Sequence, residues 1–254
     1  MMFSEVDIPD VEYLPWDSEF FGIPTAKIVP RRSDTRWLKE RLSMLNAVGV
    51  RLVYWAADAE DPVSAEAAAA CNGLLADRRR TYATTLATIR GPLSSGDTVR
   101  EYDASSVPDP RLEDIAIGCG RYSRFRADPR IPESLCTELY RLWIRNSVSR
   151  EFADSVLVSE EEGQVSGLVT VLNYSGAGEI GLLGVGEEWR GRGIGKNLVH
   201  AALKWFLAQG CATASVATQA RNTAACRLYE SAGFELRQAD LYYHFWCDTR
   251  DSIQ

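Results

Sequence analysis

The chain has 254 residues, 46% of them hydrophobic and 25% charged, which is the profile of a globular protein with room for one large core or two small ones. A formal charge of −7 argues against a general nucleic-acid surface or an acidic-membrane surface. No stretch approaches the unbroken apolar length of a membrane helix, and M-M-F-S-E-V-D lacks a basic region followed by an apolar one, so a cytoplasmic location is expected.

The cysteines, Cys71, Cys119, Cys136, Cys211, Cys226 and Cys247, are dispersed without a C-x-x-C pair and read as reduced, mostly packed thiols. With His200 and His244 the only histidines, a zinc site or a histidine triad has little to work with, and no metal is expected. His200 falls within a helix, as a packing or surface residue. His244 lies in the aromatic run 241–246, where strand alternation sets it opposite Tyr243 and Phe245, either packed or facing a substrate.

Residues 1–92 read as a small α/β domain. A strand at 26–29 leads to a helix over 34–47, where Trp37, Leu38, Leu42 and Leu45 recur at helical spacing. A strand at 51–56 follows, then an alanine-rich helix capped by Ser64 and ending near Gly73, then a strand at 81–90. The stretch G-P-L-S-S-G-D, 91–97, reads as the boundary. The aromatic segment W-D-S-E-F-F-G, 16–22, reads as a loop, either structural or reaching an acceptor.

Residues 97–254 form the second expected domain. After a strand at 98–103, helices are expected at 110–122 and 132–148, each with proline in its first turn. Between them R-Y-S-R-F-R, 121–126, interleaves arginines with aromatics. Arg124 and Arg126 either grip a phosphate while the rings stack a base or sugar, or are basic residues at a solvated helix end. A hairpin of 154–160 with 164–173 feeds a short apolar strand ending near 185.

That strand leads through Glu187 and Glu188 to R-G-R-G-I-G, 190–195, at the head of a helix whose Ile194, Leu198, Ala201, Ala202, Trp205 and Phe206 share one face. Unpaired amides, the positive end of the helix dipole and the mobile charges of Arg190, Arg192 and Lys196 converge there, which suits a diphosphate. The alternative is a glycine-rich turn with solvated arginines. A dinucleotide fold would carry its glycines in the first βαβ unit, and the Gly-Lys-Ser/Thr ending of a P-loop is missing. A strand at 213–218, a helix at 223–231 capped by Asn222 and ended by Gly233, and strands at 235–238 and 241–246 complete the chain.

The run 190–195 resembles the Arg/Gln-x-x-Gly-x-Gly/Ala coenzyme A motif of the GNAT superfamily of N-acetyltransferases, and R-N-T-A-A-C-R-L-Y-E-S-A-G-F, 221–234, resembles its next signature. A narrower resemblance, to the TDP-fucosamine acetyltransferase group, rests on L-P-W-D-S-E-F-F-G, S-R-F-R, I-G-L-L and the closing L-Y-Y-H-F-W. The superfamily resemblance implies an α/β (α+β) GNAT fold with a mixed, mostly antiparallel sheet in 97–254. It also implies acetyl-CoA as donor, held by Leu183, Gly184, Val185, Arg190, Gly191, Arg192, Gly193, Ile194, Gly195, Lys196 and Asn222. A main-chain N–H near Leu183 would meet the oxyanion, and Tyr229 matches the general acid. The base stays open between water and Glu179. The narrower group implies a TDP-linked aminosugar acceptor contacted by Arg124 and Arg126. A peptide, amino-acid or antibiotic amine, or coenzyme A binding without catalysis, are the alternatives. A homodimer is left open by the aromatic strand ends.

Overall fold

In the computed structural model the described residues are 8–89, 93–94, 98–103 and 109–247. In chain order they form β1 (Val11–Tyr13), α1 (Pro15–Phe21), β2 (Thr25–Ile28), α2 (Thr35–Ala47), β3 (Leu52–Asp58), α3 (Pro62–Ala70) and β4 (Leu74–Thr85). Next come β5 (Val99–Glu101), α4 (Pro110–Cys119), α5 (Arg124–Ala127), α6 (Glu133–Val148), β6 (Ser155–Glu161), β7 (Gln164–Tyr174) and β8 (Ala177–Val185). The chain continues through α7 (Ile194–Ala208), β9 (Thr213–Gln219), α8 (Thr223–Ser231) and β10 (Glu235–Trp246).

These residues fall into two compact units that alternate along the chain. The first takes the described residues up to Arg79, then Arg124–Leu135 and the described residues from Ala239 onward. The second takes the described residues of Arg80–Ser123 and then Cys136–Gln238. A single break was expected at 91–97, of which 91, 92 and 95–97 lie outside the described residues.

In the first unit β1 pairs antiparallel with β2, β2 parallel with β3, and β3 antiparallel with residues 240–246 of β10. Leu38, Leu45, Val53, Trp55, Ala67, Tyr243 and Phe245 bury together on one side. Residues 16–22, expected as a loop, are instead the helix α1. Pro15 suits its first turn, Trp16 stacks on Phe20 one turn later at 5.3 Å, and Gly22 ends it with φ 67°. Ser64 is not the cap of α3. Pro62 occupies the first turn, so the cap falls to Asp61, whose carboxylate accepts from the Ser64 N–H at 3.2 Å. The two strands expected at 235–238 and 241–246 are one. Asp240, read as a break, sits inside β10 because Arg31 pairs with its buried carboxylate at 2.7 Å.

The second unit carries the strand order β9-β8-β7-β6-β5, antiparallel except for β8 with β9. α7 packs over it, with Ile194, Leu198, Val199, Ala202, Leu203 and Phe206 buried among Val169, Val171, Ile180 and Val216. Each of these side chains larger than alanine contributes on the order of 1.5–3 kcal/mol by leaving water. The parallel pairing of β8 with β9 runs only from Ala177–Thr213 to Ile180–Val216.

At that point β8 bulges. Val171 faces Ile180 but Val169 faces Leu183, so Gly181 and Leu182 together oppose Thr170. The Leu182 N–H loses its ladder partner and donates to the Thr170 hydroxyl at 2.8 Å. Thr170→Val keeps the shape and strands that buried N–H. It should cost about 1–3 kcal/mol in chemical denaturation, and an unchanged midpoint would show the bond contributes nothing.

Candidate functional site

The bulge decides what β8 offers beyond Ile180. The Gly186 N–H donates to the Ser166 carbonyl at 2.9 Å, and the antiparallel alternation then turns the main chain of Gly184 toward β7 and that of Leu183 and Val185 away from it. Having parted from β9, those two residues present a strand edge to which an extended amide chain can add. The Val185 carbonyl accepts from Arg190 Nε at 3.2 Å, which ties the edge to the loop that follows.

That loop runs through a short 3₁₀ turn, Glu187–Trp189, into α7. Gly191 and Gly193 stand at φ 80° and 83°, and Gly193 is the N-cap, a left-handed conformation that bulkier residues resist. With a glycine cap, no side chain covers the first amides of α7. Arg190 pairs with Glu187 at 3.1 Å, and Arg192 lies over the Trp189 ring at 4.7 Å, so both guanidiniums flank the helix start. Lys196 is exposed on the first turn. Gly195 adds a packing role: a Cβ there would stand 3.3 Å from Leu228, so the missing side chain lets α7 approach α8.

Tyr229, on α8, is buried with its ring 6.1 Å from Tyr82 and 6.0 Å from Phe234. Burial first, then the Cys119 and Cys226 thiols, hold its phenol well above the ordinary range, so it is protonated at neutral pH. Asn222 caps α8 as expected, accepting from the Ala225 N–H at 3.3 Å. Glu179 lies on the paired part of β8, opposite Leu172 and Ser215, before the strands part.

Cys119, expected as a packed thiol, has a further place here. It lies against Gly184, where a Cβ would come within 2.6 Å of Sγ, and its thiol donates to the Ile115 carbonyl at 3.3 Å. Burial pushes this thiol up to about 12, while Arg190 and a hydrogen bond from the Leu183 main chain pull against that rise. The same strand position thus meets the loop, the thiol and, through the thiol, Tyr229.

Arg124 and Arg126 belong to the first unit. Arg126 pairs with Glu133. Arg124 lies 3.9 Å over the Tyr54 ring, 4.0 Å over Phe125 and 4.7 Å over Tyr242, with Nη1 3.1 Å from His244 Nε2. His244 Nδ1 is 2.7 Å from Asp128, and both of these residues are buried. Alternation set His244 opposite Tyr243 and Phe245, as expected.

The second unit thus carries an open strand edge, a glycine-capped helix start and a buried phenol. Residues 121–234 match the family described as "Acetyltransferase (GNAT) family". Over 133 residues the chain is 36% identical to a dTDP-fucosamine acetyltransferase of Escherichia coli O6:H1, covering 51% of this chain and 56% of that protein. It is 29% identical over 124 residues to the spore coat polysaccharide biosynthesis protein SpsD of Bacillus subtilis (strain 168), covering 49% of this chain and 43% of that one. The chain therefore spans about half the length of these curated relatives. Among solved structures it resembles a GCN5-related N-acetyltransferase from Sphaerobacter thermophilus, with TM-score 0.60, 18% identity, and coverage of 95% of this chain and 78% of that one. A tandem GNAT protein from the clavulanic acid biosynthesis pathway gives 0.56 at 16% identity, over 91% of this chain and 77% of that chain. These likenesses establish the GNAT fold. Among the described residues no helix is long and apolar enough to cross a membrane.

One consequence concerns pH. Burial, and next to it the Arg124 charge, lower the His244 pKa from 6.5 to about 4 against the pull of Asp128, so the folded ring stays neutral where the unfolded one is charged. Its contribution is complete above pH 6.5 and is lost as pH falls toward 4, by about 3 kcal/mol from the size of the shift. Melting curves between pH 7 and 4 should show this slope and His244→Gln should flatten it; equal slopes would place the titration elsewhere.

Proposed function

We propose that the chain transfers an acetyl group from acetyl-CoA to the amino group of a TDP-linked amino-deoxysugar. The observation that carries the donor half is the parting of β8 from β9 at the bulge, with the start of α7 beside it. Together they offer a strand edge for an amide-bearing arm and free amides for a diphosphate. The residues that fit this donor are Leu183, Gly184 and Val185 on the edge, Arg190 to Lys196 at the helix start, and Asn222 at the head of α8. The acceptor half draws its support from the 36% identity to the dTDP-fucosamine acetyltransferase and from the aromatic-boxed Arg124. Arg126, paired with Glu133, is the other proposed acceptor contact.

In this reading the neutral amine attacks the thioester carbonyl. The Leu183 N–H exchanges the Cys119 sulfur for the oxygen as it gains negative charge, and such a fixed donor is worth roughly 3–4 kcal/mol. Collapse breaks the carbon–sulfur bond, Tyr229 gives its proton to the departing thiolate, and the amine's surplus proton leaves to water. Glu179 is the weaker candidate for that last role. Burial raises the phenol pKa, which keeps the proton on Tyr229 at neutral pH until the thiolate departs.

The test is thiol release from acetyl-CoA against TDP-4-amino and TDP-3-amino deoxysugars, a free aminosugar, a peptide N-terminus and an aminoglycoside. Selective turnover of a TDP-aminosugar is expected; turnover of the peptide or aminoglycoside alone would overturn the acceptor and leave the donor site standing. Tyr229→Phe should lower kcat by about 10²–10⁴-fold with the coenzyme A Kd unchanged, and full activity would remove the acid role. Glu179→Gln should leave the pH profile in place if water takes the proton, whereas a flattened acidic limb would make Glu179 the base.

A further inference from the structure

Arg124 is held by a chain of buried groups whose protonation can be read from geometry. A guanidinium only donates, so His244 Nε2, 3.1 Å from Arg124 Nη1, must be the accepting nitrogen. The ring proton is then on Nδ1 and is given to Asp128 Oδ2 at 2.7 Å. The Trp246 indole N–H donates to the same oxygen at 2.9 Å, and the Arg130 main-chain N–H donates to Oδ1 at 3.0 Å. Asp128 is thus fixed by three donors, His244 has one allowed tautomer, and one edge of Arg124 is anchored.

The faces of the guanidinium are occupied as well. Tyr54, Phe125 and Tyr242 lie within 4.7 Å of it, so ring contacts use the plane, and the Tyr54 hydroxyl and the Asp17 charge also act on the guanidinium. Arg124 is only half-buried, whereas the residues behind it are almost fully enclosed: Tyr54 and His244 at 0% exposure and Asp128 at 1%. The Tyr54 hydroxyl is buried, with the Arg124 guanidinium and the Asp17 carboxyl as its neighbours. Asp17 is the carboxyl that senses Arg124 from α1, and burial raises its pKa. A diphosphate, with more charge and a bidentate geometry, outcompetes a single carboxyl of this kind.

We propose that Asp128, His244 and Trp246 are positioning residues that orient Arg124, and that the oriented edge of Arg124 binds the diphosphate of a nucleoside-diphosphate ligand. This rests on the reading of the acceptor as a TDP-linked sugar and goes beyond it by naming the device that aims the arginine. A histidine that merely filled space would be replaceable by any side chain of similar bulk. A histidine that aims Arg124 is replaceable only by one that accepts on one side and donates on the other, as glutamine does.

The test is calorimetric titration of the full chain with TDP, alongside coenzyme A as a reference ligand. Wild type should bind TDP; His244→Leu should weaken it about tenfold or more with the coenzyme A Kd unchanged, His244→Gln should restore most of the loss, and Arg124→Lys should not bind measurably. In turnover the same Leu variant should raise the acceptor KM and spare kcat. If leucine prevents folding, Trp246→Phe, which deletes one donor to Asp128 and keeps a ring, should weaken TDP binding about threefold. Equal TDP affinity in His244→Leu and wild type, or no rescue by glutamine, would overturn the positioning role. Coenzyme A binding with no TDP binding in wild type would overturn the acceptor reading and this proposal with it. TDP binding that survives Arg124→Lys would overturn this proposal alone.

Discussion

The donor side of the second unit depends on one irregularity in one strand. Where Gly181 and Leu182 together face Thr170, β8 gains a residue relative to β7 and its parallel ladder with β9 stops. A bulge of this kind turns the strand and shifts which side chains face which way. Before it, Gly178 and Ile180 face α7; after it, Gly184 faces α4. The hydroxyl of Thr170 makes the distortion affordable by taking the N–H that the ladder gives up. From that shift follow the open edge at Leu183 and Val185 and the contact of Cys119 with Gly184.

The start of α7 is built on a different principle. Its amides are left uncovered by a glycine cap, and its arginines are tethered without being neutralised in place: Arg190 to the Val185 carbonyl and Glu187, Arg192 to the Trp189 ring and the Glu188 carbonyl. Surface ion pairs of this sort are worth little, on the order of 0–1 kcal/mol, so the diphosphate of the proposed donor would displace them at small cost. The tether keeps the charges near the amides in the meantime. Arg124 in the first unit is the contrary case, enclosed by rings and anchored through His244, which fixes direction at the expense of mobility.

Much of this was legible from residues, because glycine and proline act locally. Gly191 and Gly193 announce positive φ, Asn222 three residues ahead of Ala225 announces a cap, and the apolar spacing from Ile194 announces the buried face of α7. What escaped was whatever depends on a partner far along the chain. Asp240 reads as a break until Arg31 neutralises it, and Asp61 displaces Ser64 as a cap only through the placement of Pro62. The bulge needs Thr170 and Leu182 to be paired before it has any meaning, and Cys119 becomes part of the site only when α4 is laid across Gly184. The roles of Arg124 and Arg126, similar by spacing, separate in the fold: one is caged by aromatics, the other paired with Glu133.

On the proposed function, the edge freed by the bulge and the head of α7 hold one donor together. Backbone amide resonances followed while acetyl-CoA is titrated into the chain test it most directly. Leu183 and Val185 should shift in step with Gly193, Ile194 and Gly195, at a common saturation point. Shifts at the helix head with Leu183 and Val185 unmoved would contradict it, since the diphosphate would then bind without the strand edge taking any part.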